Sequence, residues 1–179
     1  DLAEREPDGY FEAAAVFNEG ARAPGEVAPP EPRSVLVMLD TSLSMQWEKL
    51  DHAYQATEGL LRSLTAQDAF NLMLFNDDVV LFSDKAVEAR PDQVERGLTF
   101  IKSSFLSGGT DLAAALERAV KLAKDMPPKS ERSIVLITDG HDENSSLTLE
   151  DGLRVAREAR IPVLAVGLGL RNTLEGLIL

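Results

Sequence analysis

The stretch Ser34-Val-Leu-Val-Met-Leu-Asp-Thr-Ser-Leu-Ser44 joins a strongly apolar run to a loop rich in side-chain oxygens. Its apolar half predicts a buried strand of a sheet. Asp40, Ser42 and Ser44 follow where that strand ends, and their alternation lets the three side chains point to one side if the backbone stays extended. A second apolar run, Ser133-Ile-Val-Leu-Ile137, ends in Thr138-Asp139-Gly140. Carboxylates and hydroxyls at the ends of two buried strands indicate a functional site.

Further strands and amphipathic helices alternate along the rest of the chain. Strands are predicted at 69–75, 79–82 and 161–166, and the first two are joined by the turn Asn76-Asp77-Asp78, which favours a tight antiparallel pair. Helices are predicted from about 47 to 64, from Pro91 to about 104, from 111 to 124 and from 149 to 160. The residues predicted to form the buried face of the first helix are Trp47, Leu50, Tyr54, Thr57, Leu61 and Leu64.

This alternation predicts an α/β fold with three layers. Right-handed crossovers place helices on both faces of a doubly wound, mostly parallel, Rossmann-like sheet with one short antiparallel edge strand. In such folds, ligands bind outside the carboxyl ends of the strands, where the winding direction reverses. Asp40 and Asp139 both follow the carboxyl ends of predicted strands.

The first 33 residues differ in character from the rest. Residues 22–33 contain four prolines, so that segment cannot be regular helix or interior strand. We therefore predict an N-terminal extension and proline-rich linker at 1–33 and one α/β domain at 34–179. The segment from Tyr10 to Phe17 is predicted to dock on the edge of that domain.

Composition excludes several classes of function. Thirty acidic residues against eighteen basic ones give a net charge of -12, which disfavours binding to nucleic acid or to anionic membranes. The chain has no cysteine, so it has no disulfides, thiolate nucleophiles or zinc-thiolate sites. Since no apolar run is long enough to span a bilayer, direct membrane insertion is not expected. The sequence does not determine the oligomeric state.

The oxygen-rich segments match the preferences of a hard divalent cation. Asp40 and Asp139 offer carboxylates, and Ser42, Ser44 and Thr110 offer hydroxyls, with Thr110 coming from the segment Gly109-Thr-Asp111. Magnesium takes about six oxygens and usually keeps some water. At least one position is therefore expected to stay open for an outside ligand, and its natural occupant is an acidic group of another molecule.

The same segments resemble the motifs of von Willebrand factor A domains. Asp40-Thr-Ser-Leu-Ser44 is similar to the Asp-x-Ser-x-Ser motif of that family, Gly109-Thr-Asp111 to its central threonine segment, and Ile137-Thr-Asp-Gly140 to its distal aspartate segment. The resemblance covers about residues 34–170, and it extends in particular to the A domain of inter-alpha-trypsin inhibitor heavy chains and their bacterial relatives, with a counterpart for Gly108-Gly-Thr-Asp111.

The resemblance implies a metal ion-dependent adhesion site that binds a protein partner without catalysing a reaction. Ser42, Ser44 and Thr110 would reach the metal, while Asp40 and Asp139 would hold it directly or through water. The implied cation is Mg²⁺, with Mn²⁺ or Ca²⁺ as substitutes, and the implied location is extracellular or in the cell envelope. The family continues after Gly169 through a helix, a strand and a terminal helix, so the carboxy-terminal elements are expected to be missing here.

The same residues also fit other roles. Ser44 and Thr110 are each suited to cap the helix that follows, and Asp139-Gly140 is a common turn. A magnesium-dependent phosphohydrolase also places an aspartate after its first strand, but the haloacid dehalogenase kind needs a second aspartate at the position of Ser42. A third alternative is a structural module whose metal site is empty.

The remaining polar residues give weaker signals. His52 is predicted on the flank of the first helix and His141 in a solvated loop, and no triad or Gly-x-Ser-x-Gly elbow accompanies them. The acidic pairs Asp77-Asp78 and Asp142-Glu143 are predicted to be solvated turns, the latter close to Asp139. The glycine pairs lack the spacing of a nucleotide-binding loop.

Overall fold

The structure is a computed structural model that describes residues 31–140 and 149–168. The extension and linker, apart from residues 31–33, and the docking segment predicted at 10–17 lie outside the described residues. So do the loop 141–148 and the carboxy-terminal residues 169–179.

One sheet of six strands organises the described part of the chain. The strands are β1 (Arg33–Asp40), β2 (Ala69–Phe75), β3 (Val79–Leu81), β4 (Val87–Glu88), β5 (Glu131–Thr138) and β6 (Val163–Gly167). Their order is β3-β2-β1-β5-β6, and β4 also pairs with β2. The contacts among β2, β1, β5 and β6 are parallel, whereas β3 and β4 pair antiparallel to β2. The mostly parallel sheet with a short antiparallel edge is confirmed; β4 was missed because two residues carry no detectable periodicity.

Four α-helices connect these strands. They are α1 (Glu48–Ser63), α2 (Pro91–Lys102), α3 (Leu112–Lys124) and α4 (Leu149–Ala159), and a short 3₁₀ helix (Leu43–Met45) precedes α1. Pro91 occupies the first turn of α2, where its missing N–H costs no hydrogen bond. None of the helices in the described ranges is long and apolar enough to cross a membrane.

Apolar side chains fill both faces of the sheet, which confirms the three-layer fold. Along β1, Val37 and Leu39 belong to the core that contains residues of α1 and α2, and Leu36 and Met38 to the core that contains residues of α3 and α4. Because both faces of β1 are covered, its sequence is continuously apolar and not alternating.

The start of α1 differs from the prediction. Trp47 precedes the helix, has a φ of 65° and is 85% exposed, so it does not belong to the buried face. Ala53, Thr57 and Leu61 form the buried positions of the helix. Periodicity alone placed Trp47 inward because it lies at helical spacing from Leu50, but the helix begins one residue later.

Strand register brings the two predicted site segments together. Leu39 of β1 pairs with Ile137 of β5, so Asp40 and Thr138 follow at the same edge of the sheet. The chain moves from β1 to β2 on one side and later to β5 on the other, which makes this edge the point where the winding reverses.

Candidate metal centre

A chain of hydrogen bonds joins three of the five predicted site residues. The hydroxyls of Ser42 and Ser44 lie 2.9 Å apart, and the Ser44 hydroxyl donates to Oδ1 of Asp139 at 3.0 Å. Ser42 and Asp139 are buried and Ser44 is half-buried. The first and third motifs therefore meet through side-chain oxygens.

Asp40 lies beneath this chain and is fully buried. Its Oδ1 accepts from the backbone N–H of Ser42 at 2.9 Å, and its Oδ2 accepts from the hydroxyl of Thr138 at 2.6 Å. These bonds fix the carboxylate against both strand ends. Thr138, which sequence reasoning treated only as part of the third motif, is thus a positioning residue for Asp40.

Thr110 comes from the loop that precedes α3 and is buried. That loop is held beside the first motif, because the N–H of Leu43 donates to the carbonyl of Gly108 at 3.2 Å and the N–H of Ser107 donates to the carbonyl of Thr41 at 3.0 Å. Thr110 is therefore carried to the same end of the sheet as Ser42 and Ser44.

Asp77 and Gly108 shape this loop. Asp77 is exposed in the turn after β2, as predicted, and it also accepts a hydrogen bond of 2.9 Å from the N–H of Gly109. Gly108 has a φ of 66°, and a β-carbon there would overlap the Asp77 carboxylate. Only glycine fits both the conformation and the space.

The two capping interpretations are not realised. The residue that caps α1 is Trp47, without a side-chain hydrogen bond, and Ser44 lies in the 3₁₀ helix instead. Asp111 caps α3, where its carboxylate accepts from the N–H of Ala114 at 3.0 Å. Neither Ser44 nor Thr110 is the N-cap residue of the helix that follows it.

Lys49 is the main residue that sequence reasoning missed. Its ammonium donates to Oδ2 of Asp139 at 2.7 Å and to the carbonyl of Ser44 at 3.0 Å. The helical pattern placed Lys49 outside the buried face, and nothing in that pattern indicates that its long side chain reaches a residue far away in sequence. Its position on the first turn after the serine motif was the only available signal.

The hydroxyl and carboxylate oxygens of the site are the ligands that a hard cation prefers. Oxygens that occupy neighbouring corners of a magnesium octahedron lie about 3 Å apart when the metal–oxygen distance is about 2.1 Å. The two oxygen pairs along the Ser42, Ser44 and Asp139 chain are 2.9 and 3.0 Å apart. Within the described ranges no group of three carboxylate, imidazole or thiolate side chains could hold a metal ion. A cation at this edge would therefore rely on hydroxyls as well as on carboxylates.

Burial dominates the electrostatics of Asp40. It raises the pKa of the Asp40 carboxyl above its ordinary value, against the hydrogen bonds from Thr138 and Ser42, and the charge of Asp139 raises the pKa further. No cationic side chain of residues 31–140 or 149–168 forms an ion pair with Asp40. A cation placed nearby would favour its ionised form.

The other polar residues singled out from the sequence lie away from this chain or outside the description. His52 is exposed on α1, as predicted. Asp78 is exposed in the turn after β2, as predicted, and its N–H donates to Oδ1 of Asn76 at 2.8 Å. His141 and the pair Asp142-Glu143 lie outside the described residues.

The residue at position 42 does not favour the phosphohydrolase alternative. A haloacid dehalogenase-type enzyme needs an aspartate there as its acid/base. Ser42, which stands where the second aspartate would be needed, lies instead against Ser44.

Comparison with known proteins identifies the class that this fold and site define. A family profile described as von Willebrand factor type A domain matches residues 35–141, and the chain belongs to that family. The expected resemblance is therefore confirmed.

Curated relatives are inter-alpha-trypsin inhibitor heavy chains. The chain is 26% identical to heavy chain H3 of Homo sapiens over 150 residues, which cover 79% of this chain. It is 31% identical to heavy chain H2 of Sus scrofa over 130 residues, or 69% of this chain. The matches span only 17% and 14% of those relatives.

Solved structures share the fold. A von Willebrand factor type A protein from Catenulispora acidiphila superposes with a TM-score of 0.64 at 21% identity, covering 75% of this chain and 32% of that one. Proximal thread matrix protein 1 from the mussel byssus, described with a zinc-occupied MIDAS motif, gives 0.65 at 18% identity, covering 79% and 39%. These likenesses show that the described part of the chain has the fold of those proteins.

Proposed function

We propose that this domain binds a protein partner through a divalent cation, most favourably Mg²⁺, that Asp40, Ser42, Ser44, Thr110 and Asp139 hold. The observation that carries the proposal is the chain of short oxygen contacts from Ser42 through Ser44 to Asp139. These atoms come from two segments far apart in sequence and converge where the winding of the sheet reverses.

The five residues would supply two kinds of ligand, neutral hydroxyl oxygens and charged carboxylate oxygens. Ser42 and Ser44 supply neutral oxygens at about the spacing of an octahedral edge. Asp139, the last member of the hydrogen-bonded series, adds one negative charge. Asp40 adds a second through the carboxylate oxygens that Ser42 and Thr138 orient. Thr110 offers a hydroxyl from the neighbouring loop. When bound, the cation would supply an electron-poor position that accepts a carboxylate oxygen.

Exposed apolar side chains on the bordering loops support a protein as the partner. Leu43 is 50% exposed and Phe105 is 86% exposed, and the loops that carry them are joined by the Leu43–Gly108 and Thr41–Ser107 hydrogen bonds. Trp47 is exposed just beyond Leu43. Large apolar groups that face solvent around a polar centre are typical of protein-binding surfaces.

A cleft adjoins the site on the side of β2. It has a volume of about 380 Å³, and its walls include Thr41, Asn76, Phe105 and Ser107. Since Thr41 lies between two of the proposed ligands, a partner that places an acidic side chain at the cation has room for a neighbouring side chain in this cleft.

Calorimetric titration tests the proposal. Mg²⁺ added to chelator-treated protein should give saturable binding heat, and Asp40→Ala should abolish it. Asp92→Ala is the matched control, because Asp92 is exposed on α2. Indistinguishable heats from the native protein and Asp40→Ala would refute the metal assignment, and no heat from either would favour the structural module.

A phosphatase assay separates binding from catalysis. We expect no hydrolysis of p-nitrophenyl phosphate by the Mg²⁺-loaded domain above the buffer rate. Hydrolysis that persists through purification and disappears in Asp40→Asn would instead support the phosphohydrolase alternative.

A further inference from the structure

The ion pair between Lys49 and Asp139 lies inside the proposed metal centre. Lys49 is on the first turn of α1, and its ammonium is 2.7 Å from Oδ2 of Asp139. The Asp139 side chain is 1% exposed and that of Lys49 is 31% exposed. Because its carboxylate is buried, this pair interacts more strongly than one between two exposed side chains.

The two oxygens of Asp139 have different partners. Oδ1 accepts from Ser44 and so belongs to the hydroxyl chain, whereas Oδ2 accepts from Lys49. Lys49 also donates to the Ser44 carbonyl, so it ties the ends of the first and third motifs together. Its charge is therefore a fixed part of the site and does not block the oxygen that faces the hydroxyls.

The positive charge of Lys49 changes the net charge of the proposed metal centre. Asp40 and Asp139 together carry two negative charges, which would neutralise a divalent cation completely. With the ammonium of Lys49 included, these three described side chains and the same cation sum to one surplus positive charge. A neutral site has little electrostatic attraction for an external carboxylate, but a site with a surplus positive charge attracts one.

We propose that Lys49 sets the ligand preference of the metal centre: it weakens cation binding and strengthens the binding of an external carboxylate to the loaded site. The inference rests on the proposed function and adds a residue to it. Lys49 acts through charge, without being a metal ligand. In the metal-free protein it also compensates the buried charge of Asp139.

The first test measures cation affinity. Lys49→Met removes the charge and keeps an apolar side chain, and Lys49→Gln removes the charge but keeps a hydrogen-bond donor, which protects against loss of folding. Calorimetry with Mn²⁺ should show about tenfold tighter binding to both variants, since a unit charge a few ångströms away is worth at least that factor. Lys49→Arg should bind Mn²⁺ as the native protein does.

Lys102→Met is the matched control, because Lys102 is exposed and its one ion-pair partner in the described ranges is the half-buried Glu58, at 3.9 Å. It should leave Mn²⁺ affinity unchanged. Equal or weaker Mn²⁺ binding by both neutral Lys49 variants would overturn the inference and leave the metal site standing. Absence of Mn²⁺ binding by the native protein and by every variant would overturn the proposed function itself, and the inference with it.

The second test measures the carboxylate. Acetate is the probe, added to Mn²⁺-loaded protein, and its binding is read from the fall in water proton relaxation as it displaces water from the ion. The Lys49→Met protein should need several-fold more acetate than the native protein at equal Mn²⁺ occupancy and ionic strength. Identical acetate curves would overturn the inference.

Discussion

The hydroxyl of Ser44 donates a 3.0 Å hydrogen bond to Asp139, 95 residues further along the chain. This bond joins the end of β1 to the end of β5 above the point where the sheet reverses its winding. The same hydroxyl contacts that of Ser42, so Ser44 connects both serines of the first motif to the aspartate of the third.

Ser44→Ala should weaken Mg²⁺ binding by at least about tenfold, because it removes a proposed ligand and the hydrogen bond that orients Asp139. Calorimetry in the same buffer measures the effect. Ser103→Ala is a suitable control, since Ser103 is exposed and its hydroxyl donates to the carbonyl of Phe100 near the end of α2. Equal Mg²⁺ affinity in Ser44→Ala and the native protein would exclude Ser44 from the site.

Two buried aspartates should respond to neutralisation with opposite signs. Asp40 is buried and has no ion-pair partner among the described residues, so Asp40→Asn should raise the free energy of unfolding in chelator by about 1 kcal/mol. Asp68 accepts hydrogen bonds from Arg33 and Thr65, so Asp68→Asn should lower it by about 2 kcal/mol. Urea denaturation at pH 7 measures both, and a loss of stability in Asp40→Asn would contradict this account of the site.

Asp68 also predicts an acid dependence of stability. Burial raises its pKa, but hydrogen bonds from Arg33 and Thr65 outweigh burial and hold the pKa well below the ordinary value of 3.8. Because the folded state binds this proton less readily than the unfolded state, the stabilisation is complete above about pH 4 and is lost as the pH falls below it.

Urea denaturation from pH 7 down to pH 2.5 should show this loss. Asp68→Asn should have a flatter acid limb than the native protein, whereas neutralising the exposed Asp92 should leave the limb unchanged. A parallel acid limb in Asp68→Asn would show that other carboxylates cause the dependence.

Trp47 should store backbone strain. Its φ of 65° and ψ of -135° belong to a region that glycine adopts far more readily than other residues. Trp47→Gly should raise the free energy of unfolding by about 1 kcal/mol, since relief of strain exceeds the entropy that glycine loses on folding. Trp47→Ala removes the same side chain but keeps the β-carbon, so it should change stability much less. Equal stabilities of the two variants would contradict the strain account.

The sequence predicted most of the fold and the location of the site. The apolar runs before Asp40 and Thr138 were buried strands, because strands covered on both faces leave a clear signal. The meeting of Ser44 with Asp139 followed from placing both at the carboxyl ends of parallel strands. That step needed only the alternation of strands and helices, which is local information.

What the sequence did not predict depends on backbone detail and on long side chains. Trp47 was expected in the core because it lies at helical spacing from Leu50. Its positive φ, which places it before the first turn of α1, leaves no trace in the hydrophobic pattern. Lys49 was assigned to solvent because its charge matched the outer face of α1, whereas its ammonium reaches Asp139. Asp77 was assigned to a turn, but its role in holding Gly109 depends on a loop far away in sequence.

A crystal structure of the domain grown with Mn²⁺, with anomalous data at the manganese edge, tests the central claim most directly. The account predicts one anomalous peak within bonding distance of Ser42, Ser44 and Thr110, next to Asp40 and Asp139, with at least one coordination position filled by water or by a carboxylate from another molecule. A peak elsewhere, no peak at saturating Mn²⁺, or an ion fully enclosed by protein oxygens would contradict it.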